Sequence, residues 1–164
     1  MKTLNLLLLG AAGCFFLSCS DDDSDSTNTK SHAGIYALTS VQLAGSVDFN
    51  QDGVTSSNLM SETECYNNST ITLKDDKTYV AQYNYVKIGT DVTCDSEISS
   101  GTWEVQGTQL LLTNTMMTPE LTTTVTLQDN TIINILPNSP YPDRDTDGVA
   151  VYSSGLVTLN YTKK

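Results

Sequence analysis

The sequence predicts an all-β domain in which about eight antiparallel strands close into a small up-and-down barrel. Short runs rich in Thr, Val, Ile and Tyr are separated by Gly, Asn, Asp and Pro, which is typical of antiparallel sheet. Sequence patterns with the period of a helix are nearly absent. The clearest single element is the stretch GTWEVQGTQLLLT at residues 101–113, which predicts a β-hairpin.

This hairpin indicates which side of the sheet faces the core. A two-residue turn at Gly107–Thr108 places Trp103 opposite Leu112 and Val105 opposite Leu110. Cross-strand partners share a face, so these four apolar side chains point to the same side. We therefore expect the single tryptophan of the chain to lie in the core.

The other strands follow one another along the chain. They are predicted at Gly34–Val41, Ser69–Leu73, Thr78–Val86, a strand ending at Trp103 and Val105, Leu121–Leu127, Thr131–Leu136, a weak strand Val149–Tyr152, and Leu156–Thr162. A loop from Gly89 to Ser96 is expected to carry Cys94. Pro137, Pro140 and Pro142 predict a loop in place of regular sheet, because proline cannot donate to a ladder.

The turn after Leu73 has two candidate registers. A three-residue turn pairs Leu73 with Tyr79 and places Lys77 at a position that prefers glycine. A two-residue turn with a shifted register is the alternative. In the first register, Tyr79, Tyr83 and Tyr85 share the inner face of the sheet.

The N-terminus predicts an exported lipoprotein. Residues 1–18 combine a positive start with a short apolar run, which is typical of a secretory signal peptide. The run ends in FLSC, which resembles a lipobox and indicates lipidation of Cys19. Cys14 is a rival lipid site, and an ordinary signal without a lipid is a further alternative. Residues 19–31 are expected to form an acidic flexible tether and residues 32–164 the barrel domain.

Charge and the acidic tether bear on location and partners. The Asp run after Cys19 resembles the export tag of lipoproteins displayed on the outer membrane of some Gram-negative bacteria. We therefore expect an outer membrane lipoprotein at the cell surface, with the periplasmic face as the alternative. The formal net charge of −11 argues against nucleic acid as a partner and against electrostatic docking on anionic lipid. The N-terminal lipid is then the expected link to the membrane.

The remaining cysteines predict a structural cross-link. Cys65 and Cys94 form an even pair in an exported domain, which favours a disulfide. Closing a loop of this length stabilises a fold by roughly 3–4 kcal/mol. The single histidine, His32, lies at the tether junction, so neither a Ser-His-Asp triad nor a histidine metal cluster can form. We therefore expect no enzymatic activity.

The order of these motifs resembles a known family. GxYxL, an Asp-rich and Asn-rich loop, Cys, a TxTL-turn-TY hairpin, Cys, GTWEV-turn-LLLT and a closing VTLNYTK are similar to the lipocalin-like domains of bacterial lipoproteins. The resemblance implies a barrel with one open end. Tyr36 stands where such domains commonly have tryptophan. An immunoglobulin-like sandwich is disfavoured because Trp103 follows both Cys65 and Cys94 instead of lying between them.

Aromatic residues of the inner face are the candidate ligand contacts. Tyr36, Tyr79, Tyr83, Tyr85 and Trp103 would line a pocket for a small apolar ligand at the barrel mouth. The same side chains also suit a filled core, and core packing is favoured for Tyr79 and Trp103. The competing function is a surface interaction module. In that case a filled barrel docks a partner protein or glycan through the loops Ser46–Asn68 and Pro137–Gly148.

Two acidic loops match the first half of a calcium-binding loop. Asp48, Asn50 and Asp52 precede Gly53, and Asp143, Asp145 and Asp147 precede Gly148, in a D-x-[DN]-x-[DN]-G pattern. Leu59 and Ser154 occupy the positions where a bidentate acid is expected. The alternative is a solvated acidic turn. A weak structural calcium ion is thus the one cofactor that the sequence raises, and otherwise we expect none.

Overall fold

The computed structural model describes residues 31–164. The predicted signal peptide 1–18, the lipidation site Cys19 and all but the last residue of the tether 19–31 lie outside the described residues. Those assignments therefore stay predictions.

The described chain is an antiparallel meander that closes on itself. The strands are β1 (Gly34–Val47), β2 (Ser56–Asn58), β3 (Thr70–Leu73), β4 (Thr78–Ile88), β5 (Val92–Gln106), β6 (Gln109–Asn114), β7 (Leu121–Gln128), β8 (Thr131–Arg144) and β9 (Ala150–Lys163). From β3 to β9 each strand pairs with the next, and β9 and β3 both pair with β1. The short β2 pairs with the far end of β1. The predicted eight-stranded barrel is confirmed, with β2 as an addition.

The register predicted for the β5–β6 hairpin is confirmed, and the structure selects one of the two registers left open for the β3–β4 hairpin. Trp103 lies opposite Leu112 in the pairing of β5 with β6. Leu73 lies opposite Tyr79 in the pairing of β3 with β4, which selects the three-residue turn. Lys77 accordingly adopts a positive φ of 66°. Gly101 lies at the end of the β5–β6 ladder farthest from the turn. A Cβ at this position would overlap the backbone of strand β6, so only glycine fits there.

The predicted proline loop is wrong. β8 runs through Pro137, Pro140 and Pro142 and pairs with β9 as far as Arg144. Proline is tolerated because only one edge of this stretch is paired: in the described chain, the ladder between β7 and β8 stops at Thr126–Ile133. The two strands predicted at the C-terminus are correspondingly one continuous strand, β9.

A disulfide links the long connection after β2 to the barrel wall. Cys65 and Cys94 are bonded, with a Cα–Cα distance of 5.1 Å, which confirms the predicted pair. Cys94 belongs to strand β5 and not to a loop, since the β4–β5 connection is shorter than predicted. The connection itself contains α1 (Leu59–Glu62) and a 3-10 helix (Glu64–Tyr66). Among the described residues, no helix has the length and apolar character that crossing a membrane requires.

The barrel has two distinct ends. The turn end carries the tight hairpins at residues 74–77, 107–108 and 129–130, and the mouth end carries the connections 48–55, 89–91, 115–120 and 145–149. Trp103 lies in the core near the turn end. Its Nε1 donates to the carbonyl oxygen of Lys74 at 2.9 Å, and the Lys77 ammonium lies 4.0 Å from the ring centroid.

Candidate functional site

A cavity of about 260 Å³ lies inside the barrel. Its wall is mainly aliphatic and aromatic and consists of Ile71, Tyr79, Ala81, Gln82, Tyr83, Ser99, Leu112, Asn114, Leu121, Thr123, Val125, Asn134, Leu136, Leu159 and Tyr161. Parts of β7 and β8 beyond the end of their shared ladder contribute to this wall. We call this space the inner cavity.

A second cavity of about 380 Å³ lies at the mouth end, and we call it the outer cavity. It is lined by Tyr66, Tyr83, Tyr85, Val86, Glu97, Leu136, Ser139, Pro140, Pro142 and Tyr152. Tyr83 and Leu136 border both cavities, so the two spaces adjoin. Ligand sites typically have volumes of about 300–1,000 Å³, and the pair of cavities falls in that range for a small molecule.

Three tyrosine rings form the aromatic side of the outer cavity. The rings of Tyr83 and Tyr85 are stacked, with centroids 5.9 Å apart and an interplanar angle of 17°. Tyr66 lies on the other side of Tyr83, with centroids 6.2 Å apart and an angle of 47°. Tyr66 comes from the 3-10 helix and is buried, and its neighbour Cys65 ties that helix to β5. The disulfide therefore holds one wall of the cavity in place.

The opposite wall is the extended β8–β9 hairpin. Tyr152 of β9 reaches across to strand β4, where its hydroxyl donates to the carbonyl oxygen of Val86 and accepts from the N–H of Ile88, both at 3.0 Å. These backbone groups lie on the edge of β4. The Tyr152 hydroxyl hydrogen-bonds to them as a neighbouring strand would and so joins the hairpin to the barrel wall. The prolines of β8 thereby stay over the tyrosine cluster.

Burial raises the pKa of two tyrosines that line the outer cavity, Tyr66 and Tyr83. Desolvation raises the pKa of Tyr83 to about 12. Burial, together with the neighbouring phenols of Tyr83 and Tyr152, raises the pKa of Tyr66 further. Glu97 is the one acidic residue among the residues that line the outer cavity.

The mouth end is strongly acidic. Its acidic residues are Asp48, Asp52, Glu62, Glu64, Asp91, Asp95, Glu97, Glu120, Asp143, Asp145 and Asp147. The described basic residues at this end are Lys87 and Arg144. Lys87 is paired with Asp95 at 2.8 Å, and Arg144 donates to the carbonyl oxygens of Phe49 and Gly148. The mouth therefore presents a net negative potential to an approaching ligand.

The structure brings together three of the five predicted ligand contacts. Tyr79 and Tyr83 border the inner cavity, and Tyr83 and Tyr85 border the outer one. Tyr36 and Trp103 line neither of these cavities. Tyr36 is fully buried in the core, where its hydroxyl donates to the carbonyl oxygen of His32 at 2.8 Å.

Sequence reasoning missed several residues of the outer cavity. Tyr66 lies in a polar passage without a strand pattern. Its position beside Cys65 is the one sequence signal that places it near the barrel wall. Tyr152 and the prolines at 140 and 142 were assigned to a weak strand and a loop. Glu97 lies in strand β5, and its place beside Tyr83 follows from the β4–β5 register.

The two Asp-rich loops meet at the mouth end. Arg144 bridges them through Phe49 and Gly148, with its guanidinium 4.8 Å from the Phe49 ring centroid, and the amide of Gln51 donates to the carbonyl oxygen of Gly148 at 3.2 Å. The carboxylate of Asp48 accepts the N–H groups of residues 52 and 53, both at 3.0 Å. Within residues 31–164, no three His, Cys, Asp or Glu side chains are grouped so as to hold a metal ion. Calcium binding at Asp48, Asn50, Asp52, Asp143, Asp145 and Asp147 stays a prediction.

A closed antiparallel barrel with adjoining cavities inside its mouth is an architecture that ligand-binding β-barrels share. The family model described as a lipocalin-like domain matches residues 33–133, which is more than half of the chain, and the chain belongs to this family. The predicted family resemblance is confirmed. Comparisons with curated proteins and with solved structures found no match. Lipocalin-like barrels commonly bind small apolar ligands and are generally not enzymes. The distal part of β8 and all of β9 lie beyond the matched residues.

Proposed function

We propose that this protein is a non-enzymatic lipocalin-like carrier or receptor that binds a small, largely apolar ligand through the mouth of its barrel. The inner cavity is the observation that carries this proposal. Its wall is mainly apolar, and among the described residues no buried side-chain N or O atom lacks a hydrogen-bond partner. Because most of the lining side chains are apolar, binding would depend chiefly on apolar contact.

Fluorescence of the neutral apolar dye N-phenyl-1-naphthylamine tests this proposal directly. The dye is expected to gain fluorescence on binding the purified domain with a stoichiometry of one. Ala81 borders the inner cavity, so Ala81→Leu fills part of the space and is expected to lower the affinity for the dye at least tenfold.

Val80→Leu is the matched control for Ala81→Leu. Val80 is the next residue of the same strand and is exposed on its other face, so this variant should bind the dye like the wild type. Equal dye affinity in all three proteins would contradict binding in the inner cavity. Native mass spectrometry of protein purified from its own host would then identify any ligand that co-purifies.

We further propose that Cys19 carries a lipid that anchors the protein to the outer membrane, with the barrel at the cell surface. The signal-like segment and the acidic run after Cys19 support this assignment. Replacing Cys19 by alanine should release the protein from the membrane fraction. Protease treatment of intact cells should degrade a surface protein, whereas survival of the protein would favour the periplasmic face.

Docking of a partner protein or glycan through Ser46–Asn68 and Pro137–Gly148 is the second candidate function. The contacts of Arg144 and Gln51 join these two segments into one surface, which favours this candidate. A photo-cross-linking residue at Val54, which is 67% exposed, should give a discrete adduct on cells if the surface docks a partner. The same probe at Glu104, on the exposed face near the turn end, is the control. Absence of an adduct specific to Val54 would contradict docking.

A further inference from the structure

We propose that the ligand of this barrel is a cationic amphiphile, whose amine or quaternary ammonium group lies in the outer cavity and whose short apolar tail enters the inner cavity. This inference rests on the proposed ligand-binding function and names the chemical class of its ligand.

The tyrosine cluster supplies the first argument. Tyr83 and Tyr85 are stacked, and Tyr66 is tilted against Tyr83, so several aromatic rings border one space of about 380 Å³. The faces of neutral phenol rings attract a cation through the ring quadrupole, and aromatic clusters of this kind recognise ammonium groups. An anionic group in the same place would face the rings without a basic partner from the lining residues.

Glu97 supplies the second argument. Glu97 lies directly opposite Tyr83 in the β4–β5 ladder, so its carboxylate and the aromatic rings border the same cavity. Among the described residues, the salt bridge formed at this end joins Lys87 to Asp95 and does not include Glu97. A ligand cation between Glu97 and the tyrosines would therefore meet a carboxylate that has no competing ion pair.

The field of the mouth supplies the third argument. Acidic residues surround the opening, and the two described basic residues there are engaged, Lys87 with Asp95 and Arg144 with carbonyl oxygens. Such a distribution concentrates cations at the opening and repels anions, including fatty-acid carboxylates. The charge of the mouth and the chemistry of the outer cavity thus both favour a positively charged ligand group.

The adjoining cavities supply the amphiphilic character. Tyr83 and Leu136 belong to both walls, so a molecule with its head against the tyrosines has its tail directed at the apolar inner cavity. A fully polar cation would leave the inner cavity without a partner. A fully apolar molecule would leave Glu97 and the acidic mouth without one.

Three probes of equal chain length test this inference by displacement of N-phenyl-1-naphthylamine at low salt. Decyltrimethylammonium is expected to displace the dye best, followed by 1-decanol and then decanoate. Glu97→Gln should weaken the binding of decyltrimethylammonium roughly threefold to tenfold and leave the binding of decanol unchanged. Glu104→Gln removes the same charge near the turn end and should leave the order intact. Tyr85→Leu should weaken the binding of decyltrimethylammonium. Tyr85→Phe keeps the aromatic ring and should retain the preference for the cation over decanol and decanoate.

The possible outcomes separate this inference from the function on which it rests. Equal displacement by the three probes, or preference for decanoate, overturns the cationic class and leaves ligand binding intact. A cation preference that Glu97→Gln and Tyr85→Leu both leave unchanged places the cation elsewhere and also overturns the assignment. Failure of the dye itself to bind would instead remove the proposed ligand-binding function.

Discussion

Removal of the disulfide is expected to lower both the stability of the barrel and its affinity for ligand. Cys65 and Cys94 are 29 residues apart in sequence, and a cross-link across such a loop restricts the unfolded chain by about 3.5 kcal/mol at 25 °C. Cys94 is exposed, so its replacement by serine removes little packing. For a domain of this size, the loss corresponds to a decrease in Tm of roughly 10–15 °C.

Urea unfolding of the double variant Cys65→Ser/Cys94→Ser measures this loss. Trp103 fluorescence reports global unfolding because Trp103 lies near the turn end, away from the disulfide. Affinity for decyltrimethylammonium should also fall, because its head group is proposed to lie in the outer cavity, where Tyr66 is no longer tied to β5. The wild type with reductant should reproduce the variant, and the variant itself should ignore reductant.

Two results would refute this reasoning about the cross-link. A loss of unfolding free energy below about 1 kcal/mol would mean that the unfolded chain is not restricted as the loop length implies. Unchanged affinity for decyltrimethylammonium in a variant that loses the full stability would mean that the 3-10 helix keeps its position without the disulfide.

Three further changes have expected outcomes that urea unfolding can measure. Gly101→Ala should cost about 2–3 kcal/mol or more, because its Cβ would overlap the backbone of strand β6, whereas Gly45→Ala has open space and should be nearly neutral. Glu62→Ala should cost about 1–3 kcal/mol, since the buried carboxylate accepts the N–H of Phe49 at 2.9 Å, and Glu62→Gln should retain much of this stability. Burial raises the pKa of Tyr83 to about 12 from 10.0, so the unfolded chain loses this proton first and stability should fall as the pH rises from 10 to 12; Tyr83→Phe should flatten the decline. A flat alkaline profile for the wild type, or equal losses in a variant and its control, would contradict these accounts.

Much of the fold was predictable because its determinants are local. The pairing of Trp103 with Leu112 follows from the turn at residues 107–108, and the pairing of Leu73 with Tyr79 follows from one of two turn lengths. The choice between those lengths was not predictable, because Lys77 adopts a left-handed conformation that its residue type disfavours.

The candidate site was predicted only in part. Strand alternation predicts Tyr83 and Tyr85 on the inner face, and the structure places them in one stacked pair. The proline stretch is predicted as a loop because proline is excluded from strands that are paired on both edges. The sequence does not show that one edge of this part of β8 is unpaired. Tyr66 and Tyr152 reach the cavity from segments that carry no inner-face pattern, so only their long-range contacts show their role.

By itself, the sequence determined the all-β class, the antiparallel order of most strands, the side on which the tryptophan lies and the cysteine pair. Alternation with a period of two, turn chemistry and the count of cysteines encode these features over short distances. Only the tertiary structure decided where the barrel is filled and where it is hollow. A cavity is the space that remains where side chains from distant strands do not meet, and here it depends on a ladder between β7 and β8 that ends early and on a β8–β9 hairpin that extends over the mouth.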